Sequence, residues 1–180
     1  MRIQADNTAA VGIDFQERLV PVIAGNEKIV EKTAMLLKGL RALGVPLVMM
    51  RQYPKGLGDI IPEIKEAAGD FSPMDKLSFS ACGEEEIMRE IESKGKKNVI
   101  VCGVEAHVCV LQTVIDLIAA GMQPVLVCDC IGSRFPSDME IAVRRAQQEG
   151  ALLTTAEAIL FELTQRAGNE TFKTISKLVK

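Results

Sequence analysis

Two uninterrupted apolar runs, "NVIVCGV" at 98–104 and "QPVLVCDC" at 123–130, constrain this chain more than any other feature. A strand with water on one face alternates apolar and polar residues. These runs do not alternate, so they read as strands buried on both faces, as in the middle of a parallel sheet. Parallel neighbours need crossover connections, usually helices, and helical patterns lie between the runs. Val110, Val114, Leu117 and Ile118 share one side of a helix that ends near Gly121. Upstream, "AAVGIDF" (9–15) reads as a first strand. Between Glu27 and Leu43, apolar residues recur at helical spacing (Ile29, Val30, Leu36, Leu37, Leu40), and Gly44 stands where a C-terminal cap belongs. Residues 45–53 are a second strand, "YPKGLG" a loop and 59–68 a short helix. Residues 84–95 form a helix whose acidic first turn suits the macrodipole. Downstream, "DMEIAVRRAQQEG" is a helix and "ALLTT" a last short strand. Thr154 with Glu157 fits a capping box for the next helix, and 169–180 reads as one more amphipathic helix.

Strands alternating with helices imply an α/β fold: a three-layer α/β/α arrangement around a mostly parallel, Rossmann-like sheet. At 180 residues the chain fits a single domain over 1–180, with no internal repeat or linker. The balance of 21 basic and 24 acidic residues, net −3, gives no long-range attraction for nucleic acid or an anionic membrane. No apolar run reaches the ~18 residues that span a bilayer. Residues 1–15 lack the apolar core and small-residue cleavage site of a signal peptide. An odd number of cysteines, five, then suits reduced thiols in a cytoplasm.

In such folds the site lies beyond the carboxyl ends of the strands. That directs attention to Asp14, Gln52, the stretch from Val104 to Cys109, and the stretch from Asp129 to Arg134. Closely spaced metal-ligand pairs are missing, so no metal or other cofactor is expected. His107 is the only histidine. It sits two residues before Cys109, and positions i and i+2 of a helix point to different sides, which disfavours a Cys–His dyad. His107 is either a site-edge or a packing residue. Cys109 follows a buried strand and falls in the first turn of a helix, where free N–H groups and the dipole favour a thiolate and lower the thiol pKa. The alternative for any one cysteine is a buried structural thiol, and Cys102, Cys128 and Cys130 inside strands fit that. A nucleophilic thiol needs a proton acceptor. Asp14, at the end of an apolar strand, is the candidate base, or else a cap for the turn that follows. A cation beside both groups would hold the thiolate. Lys76 in "SPMDKLSFSAC" is one choice among 21 basic residues, and spacing does not single it out. Asp129 with Ser133 and Arg134 reads as a turn held by an Asp–Arg contact.

Taken in order, "VGIDFQ", "MDKLSFSA", "VCGVEAHVCV", "VCDCIGSR" and "GALLTTAEAILFEL" resemble the isochorismatase-like cysteine hydrolases, over nearly the whole chain. That superfamily includes nicotinamidases, carbamoylsarcosine amidases and many bacterial members without an assigned substrate, and "RQYPKGLG" looks like the substrate-orphan branch. The resemblance implies an isochorismatase-like fold and a catalytic triad of Asp14, Lys76 and Cys109. It also implies a cis peptide between Val104 and Glu105, with the backbone N–H groups of Glu105 and Cys109 forming an oxyanion hole. The implied activity is hydrolysis of a C–N bond, amide or imide-like, in a small molecule through a thioester. Phe15, Gln52, Phe79 and His107 are candidate pocket residues, with core packing the alternative for the two phenylalanines. Nicotinamidases carry an Asp-x-His metal motif where this chain reads "MMRQYPKG", which again argues against a metal. Members of the superfamily often assemble, so a homo-oligomer is implied: a dimer, a tetramer or larger. Phe172, Ile175, Leu178 and Val179 could pack between subunits or close their own domain. Two other readings use the same residues: a redox- or electrophile-reactive thiol, with Cys82 as a possible resolving partner, and a catalytically idle oligomeric scaffold.

Overall fold

A computed structural model describes residues 2–180. Six strands form one sheet: β1 (Thr8–Ile13), β2 (Leu47–Gln52), β3 (Met74–Lys76), β4 (Asn98–Val104), β5 (Gln123–Gly132) and β6 (Leu152–Thr154). Their order is β3-β2-β1-β4-β5-β6, and all neighbours run parallel. The helices are α1 (Asn26–Ala42), α2 (Pro54–Leu57), α3 (Pro62–Ala68), α4 (Glu85–Ser93), α5 (Leu111–Ala119), α6 (Pro136–Glu149), α7 (Ala156–Thr164) and α8 (Glu170–Leu178).

The uninterrupted runs lie at the centre, as their composition requires. Every residue of β1 and β4 is buried. One core packs on each face of the sheet. On one, Leu36, Leu37 and Leu40 of α1 meet Ile159 and Leu160 of α7, Ile64 of α3 and Ile175 of α8. On the other, Ile87 and Ile91 of α4 and Val114 and Leu117 of α5 close over Val99 and Val101. Each large aliphatic side chain removed from water contributes about 1.5–3 kcal/mol, so these two layers hold the sheet together. The C-terminal helix serves its own core: Ile175 is fully buried, and Leu178 and Val179 pack partly against the same cluster.

Several local expectations change. "YPKGLG" contains a helical turn, α2, which follows Tyr53 in a left-handed conformation. The cap of α7 is Thr155 rather than Thr154, its hydroxyl accepting from the Ala158 N–H. The strand β3 was not anticipated. Its three residues, "MDK", have no apolar pattern, and they are strand because Met74, Asp75 and Lys76 pair with Met50, Arg51 and Gln52.

The switch point of the sheet lies between β1 and β4. From β1 the chain builds outward through β2 and β3, then returns to the other side of β1 with β4 and builds outward again. In open parallel sheets crossover connections diverge at such a point, and functional groups gather beyond the strand ends. Gly103 lets β4 approach β1 closely at that place. It has φ 145°, and a Cβ there would stand 2.4 Å from the carbonyl oxygen of Ile13, next to Asp14. Gly103→Ala is therefore expected to destabilise the fold by about 2–5 kcal/mol, from backbone strain and overpacking together. Urea denaturation checks this, and a cost under about 1 kcal/mol would contradict the close approach.

Candidate active site

Four strand ends converge on one carboxylate. Asp14 follows β1 in a left-handed conformation, φ 58°, with its N–H donating to Met50 O and its own carbonyl accepting from Gln16 N–H at 2.7 Å. This tight turn presents the carboxylate to the end of β3. Lys76, the last residue of β3, brings its ammonium to Asp14 Oδ2 at 2.8 Å, and both side chains are 0% exposed. Two like-sized ions sealed from water are costly unless their hydrogen bonds are completed. The Lys76 ammonium completes its set by donating to Gln52 Oε1 at 2.6 Å and to the carbonyl of Phe79 at 2.9 Å. Asp14 does not complete its set: Oδ1 is buried and accepts no hydrogen bond.

Beside that carboxylate stands Cys109, at 6% exposure. It lies in a π-helical turn, Ala106–Val110, that links β4 to α5. Thr113, one turn further on, donates its hydroxyl to the Cys109 carbonyl at 2.7 Å and fixes the turn. The Val104–Glu105 peptide immediately before the turn is cis. Structure therefore gathers Asp14, Lys76 and Cys109, which are scattered in sequence, at one point.

The expected depressed thiol pKa is corrected. Burial first, then the charge of Asp14, push the Cys109 thiol up to about 12, and the opposing pull of Lys76 is smaller. Lys76 stands beside a carboxylate of opposite charge, so its pull on the thiol is offset and burial decides the direction. Cys109 therefore rests as a neutral thiol. Burial also raises the pKa of Asp14, against the lowering effect of Lys76. A carboxylate so placed is a stronger base than one in water, and its unpartnered oxygen can take a proton.

The other candidates divide. Gln52 is buried and committed: besides accepting from Lys76 it donates to Leu77 O at 2.8 Å. Phe15 is in the core on the α1 face, whereas Cys109 belongs to the α5 face. Phe79 is 54% exposed, and its neighbour Leu77 is 72% exposed. His107 Nδ1 lies 2.9 Å from Ser133 Oγ, with Nε2 3.8 Å from Asp138, so it ties the π-turn to the start of α6. The expected Asp129–Arg134 contact is not formed. Asp129 accepts from the Ala156 N–H at the start of α7, and Arg134 instead pairs with Glu105 at 3.2 Å. The Glu105 side chain also accepts from Arg134 N–H at 2.9 Å, and so tethers the residue after the cis peptide. Gln16 went unremarked in sequence, yet it is fully buried and bonded to Gln52. The one signal available was a polar residue just after an apolar strand. Among the described residues no group of three metal-ligating side chains is placed to hold an ion, and no helix is long and apolar enough to cross a membrane.

Alkylation of Cys109 in the native protein by iodoacetamide should still be accelerating at pH 10, well past the usual thiol value of 9.0. The sign for stability follows from the same shift. Below about pH 9 neither folded nor unfolded thiol is ionised and its contribution is complete; as pH rises toward 12 only the unfolded thiol ionises and stability is lost. Rate against pH with each cysteine mapped by mass spectrometry checks this, and a plateau below pH 8 would contradict it.

These geometries accord with the comparisons to known proteins. The isochorismatase domain model matches residues 8–158. Isochorismatase domain-containing protein 2 of Danio rerio is 36% identical over 179 residues, spanning 99% of this chain and 89% of that protein. The structure of MAR1 ribonuclease from Caenorhabditis elegans superposes with a TM-score of 0.93 at 36% identity, covering 99% of this chain and 92% of that one. The YcaC gene product of Escherichia coli, described as an octameric hydrolase of unknown specificity, superposes with a TM-score of 0.93 at 22% identity, covering 99% and 89%. With the domain match over most of its length and this degree of sequence identity, the chain belongs to the isochorismatase family.

Proposed function

We propose that this isochorismatase-family hydrolase cleaves the C–N bond of a small amide or imide through a thioester on Cys109. The observation that carries the reading is the buried Asp14–Lys76 ion pair, whose carboxylate stands beside the Cys109 thiol and has one oxygen without a partner. Asp14 takes the thiol proton as the sulfur attacks the carbonyl carbon. The tetrahedral oxyanion is received by the backbone N–H groups of Glu105 and Cys109. Collapse breaks the C–N bond, and Asp14 returns its proton to the departing amine or ammonia. Water then attacks the thioester, Asp14 accepts its proton, and the acid leaves as the thiol is re-protonated. Lys76 stays charged throughout and compensates the negative charge that moves between sulfur and carboxylate.

A neutral resting thiol makes the base obligatory, which separates this reading from a redox-sensing thiol. Cys82, the suggested resolving partner, is itself held near pKa 11 by burial. The C. elegans relative is described as a ribonuclease. Cleavage of RNA has less support here, because the net charge is −3 and Lys76 is sealed from any phosphate. A panel of small amides and imides, with an RNA substrate beside it, tests the reading. Turnover of at least one amide is expected, with a loss of more than about 10³-fold in Cys109→Ala and an unchanged circular dichroism spectrum. Full amide turnover by Cys109→Ala would refute the proposal, and so would cleavage of RNA alone.

The protein acts on its substrate as a homo-oligomer in the cytoplasm. Support comes from the octameric E. coli relative, from the exposed Leu77 and Phe79 adjoining Lys76, and from five cysteines that are all free. Sedimentation equilibrium should return a mass of at least twice 19.6 kDa; a monomer at micromolar concentration would contradict the assembly.

A further inference from the structure

We propose that Gln16 is a positioning residue, whose side-chain amide replaces a missing rung of the β1–β2 ladder and, through Gln52, sets the ammonium of Lys76. The proposal rests on the reading of Asp14, Lys76 and Cys109 as one catalytic unit.

The β1–β2 ladder runs out where the site begins. Its last registered pair is Ile13 with Met50, and Asp14 N–H to Met50 O at 3.2 Å is the last rung. The chain then turns away at Asp14. Gln52, two residues further along β2, is left without a backbone partner on that side. Gln16 supplies one. Its Oε1 accepts from Gln52 N–H at 2.7 Å, and its Nε2 donates to Gln52 O at 2.9 Å. A primary amide offers a donor and an acceptor side by side, as a peptide unit does, so it satisfies both backbone groups of one residue. The second N–H of Gln16 donates to Gly58 O at 2.8 Å and ties in the chain that follows α2.

Fixing Gln52 fixes Lys76. The Gln52 amide has its Nε2 committed to Leu77 O, which leaves Oε1 facing the ammonium. An ammonium has three protons. Asp14 Oδ2, Gln52 Oε1 and Phe79 O claim all three within 2.9 Å. The cation is thereby held against the base with no proton left for solvent or substrate. An apolar side chain at position 16 could fill the same volume but would leave the N–H and C=O of Gln52 unpaired and that strand end unfixed. The bonds of Gln16 reach across to the back of the site instead of serving its own turn, and that is the mark of a positioning role.

The experiment uses the full chain and needs no substrate. Iodoacetamide labelling of Cys109 is followed from pH 7 to 11 in wild type, Gln16→Met, Lys76→Met and the double variant, with thermal melts of each. Lys76→Met should slow labelling at pH 9 by at least about threefold and move the profile to higher pH, because a neighbouring cation favours the thiolate. Gln16→Met should move the profile in the same direction, and the double variant should add little to Lys76→Met alone, since coupled residues are non-additive. A residue that only packs would lower the melting temperature and leave the profile where it was. If Lys76→Met shifts the profile and Gln16→Met does not, or if the two effects add, the positioning role is overturned while the catalytic unit stands. If Lys76→Met itself has no effect, the catalytic unit fails and this inference falls with it. Should Gln16→Met not fold, Gln16→Asn, whose shortened amide cannot reach Gln52, is held to the same outcomes.

Discussion

A carboxylate and an ammonium, both removed from water, sit 2.8 Å apart at the centre of this molecule. Such a pair is poor evidence for stability, since desolvating two ions offsets most of their attraction. It persists because its surroundings are built to receive it. Backbone carbonyls of the 78–79 segment and the amide of Gln52 complete the ammonium, and the turn at Asp14 presents the carboxylate. The site inherits its character from this arrangement: a cation that is spent, a base with one free oxygen, and a thiol that meets a neutral pair.

The neutral pair changes how the thiol should be understood. A cysteine at the start of a helix suggests a ready-made thiolate, and the helix does begin there. Burial and the carboxylate outweigh that effect. In the proposed mechanism the sulfur is activated by passing its proton to Asp14, so reactivity there belongs to the group of three and not to the cysteine.

Topology is what makes the group possible. Asp14, Gln52, Lys76 and Cys109 are far apart in the chain, yet each lies at or just beyond the carboxyl end of a different strand. Parallel strands bring those ends to one edge of the sheet, and the switch between β1 and β4 opens a gap there. On the other side of β1, where its ladder with β2 runs out at Asp14, the side chain of Gln16 takes over the pairing of Gln52.

Much of this was legible beforehand. The unbroken apolar runs marked β4 and β5, the helical spacing from Glu27 to Leu43 marked α1, and a strand-to-helix turn singled out Cys109. These are local properties, written in side-chain period and composition. An acid at a strand end made Asp14 a candidate in the same way. Lys76 was not legible from its surroundings, because β3 is a strand only through pairing with β2 and "MDK" has no period of its own; resemblance alone pointed to it. The thiol pKa, the Glu105–Arg134 tether and the role of Gln16 were decided by tertiary structure. Each depends on which groups meet across the strand ends and how far water is excluded, and neither distance nor burial is a property of sequence order. The sequence determined every long element and which residue types are available; packing around the switch point made β3 a strand and decided which groups meet, and in what state of charge.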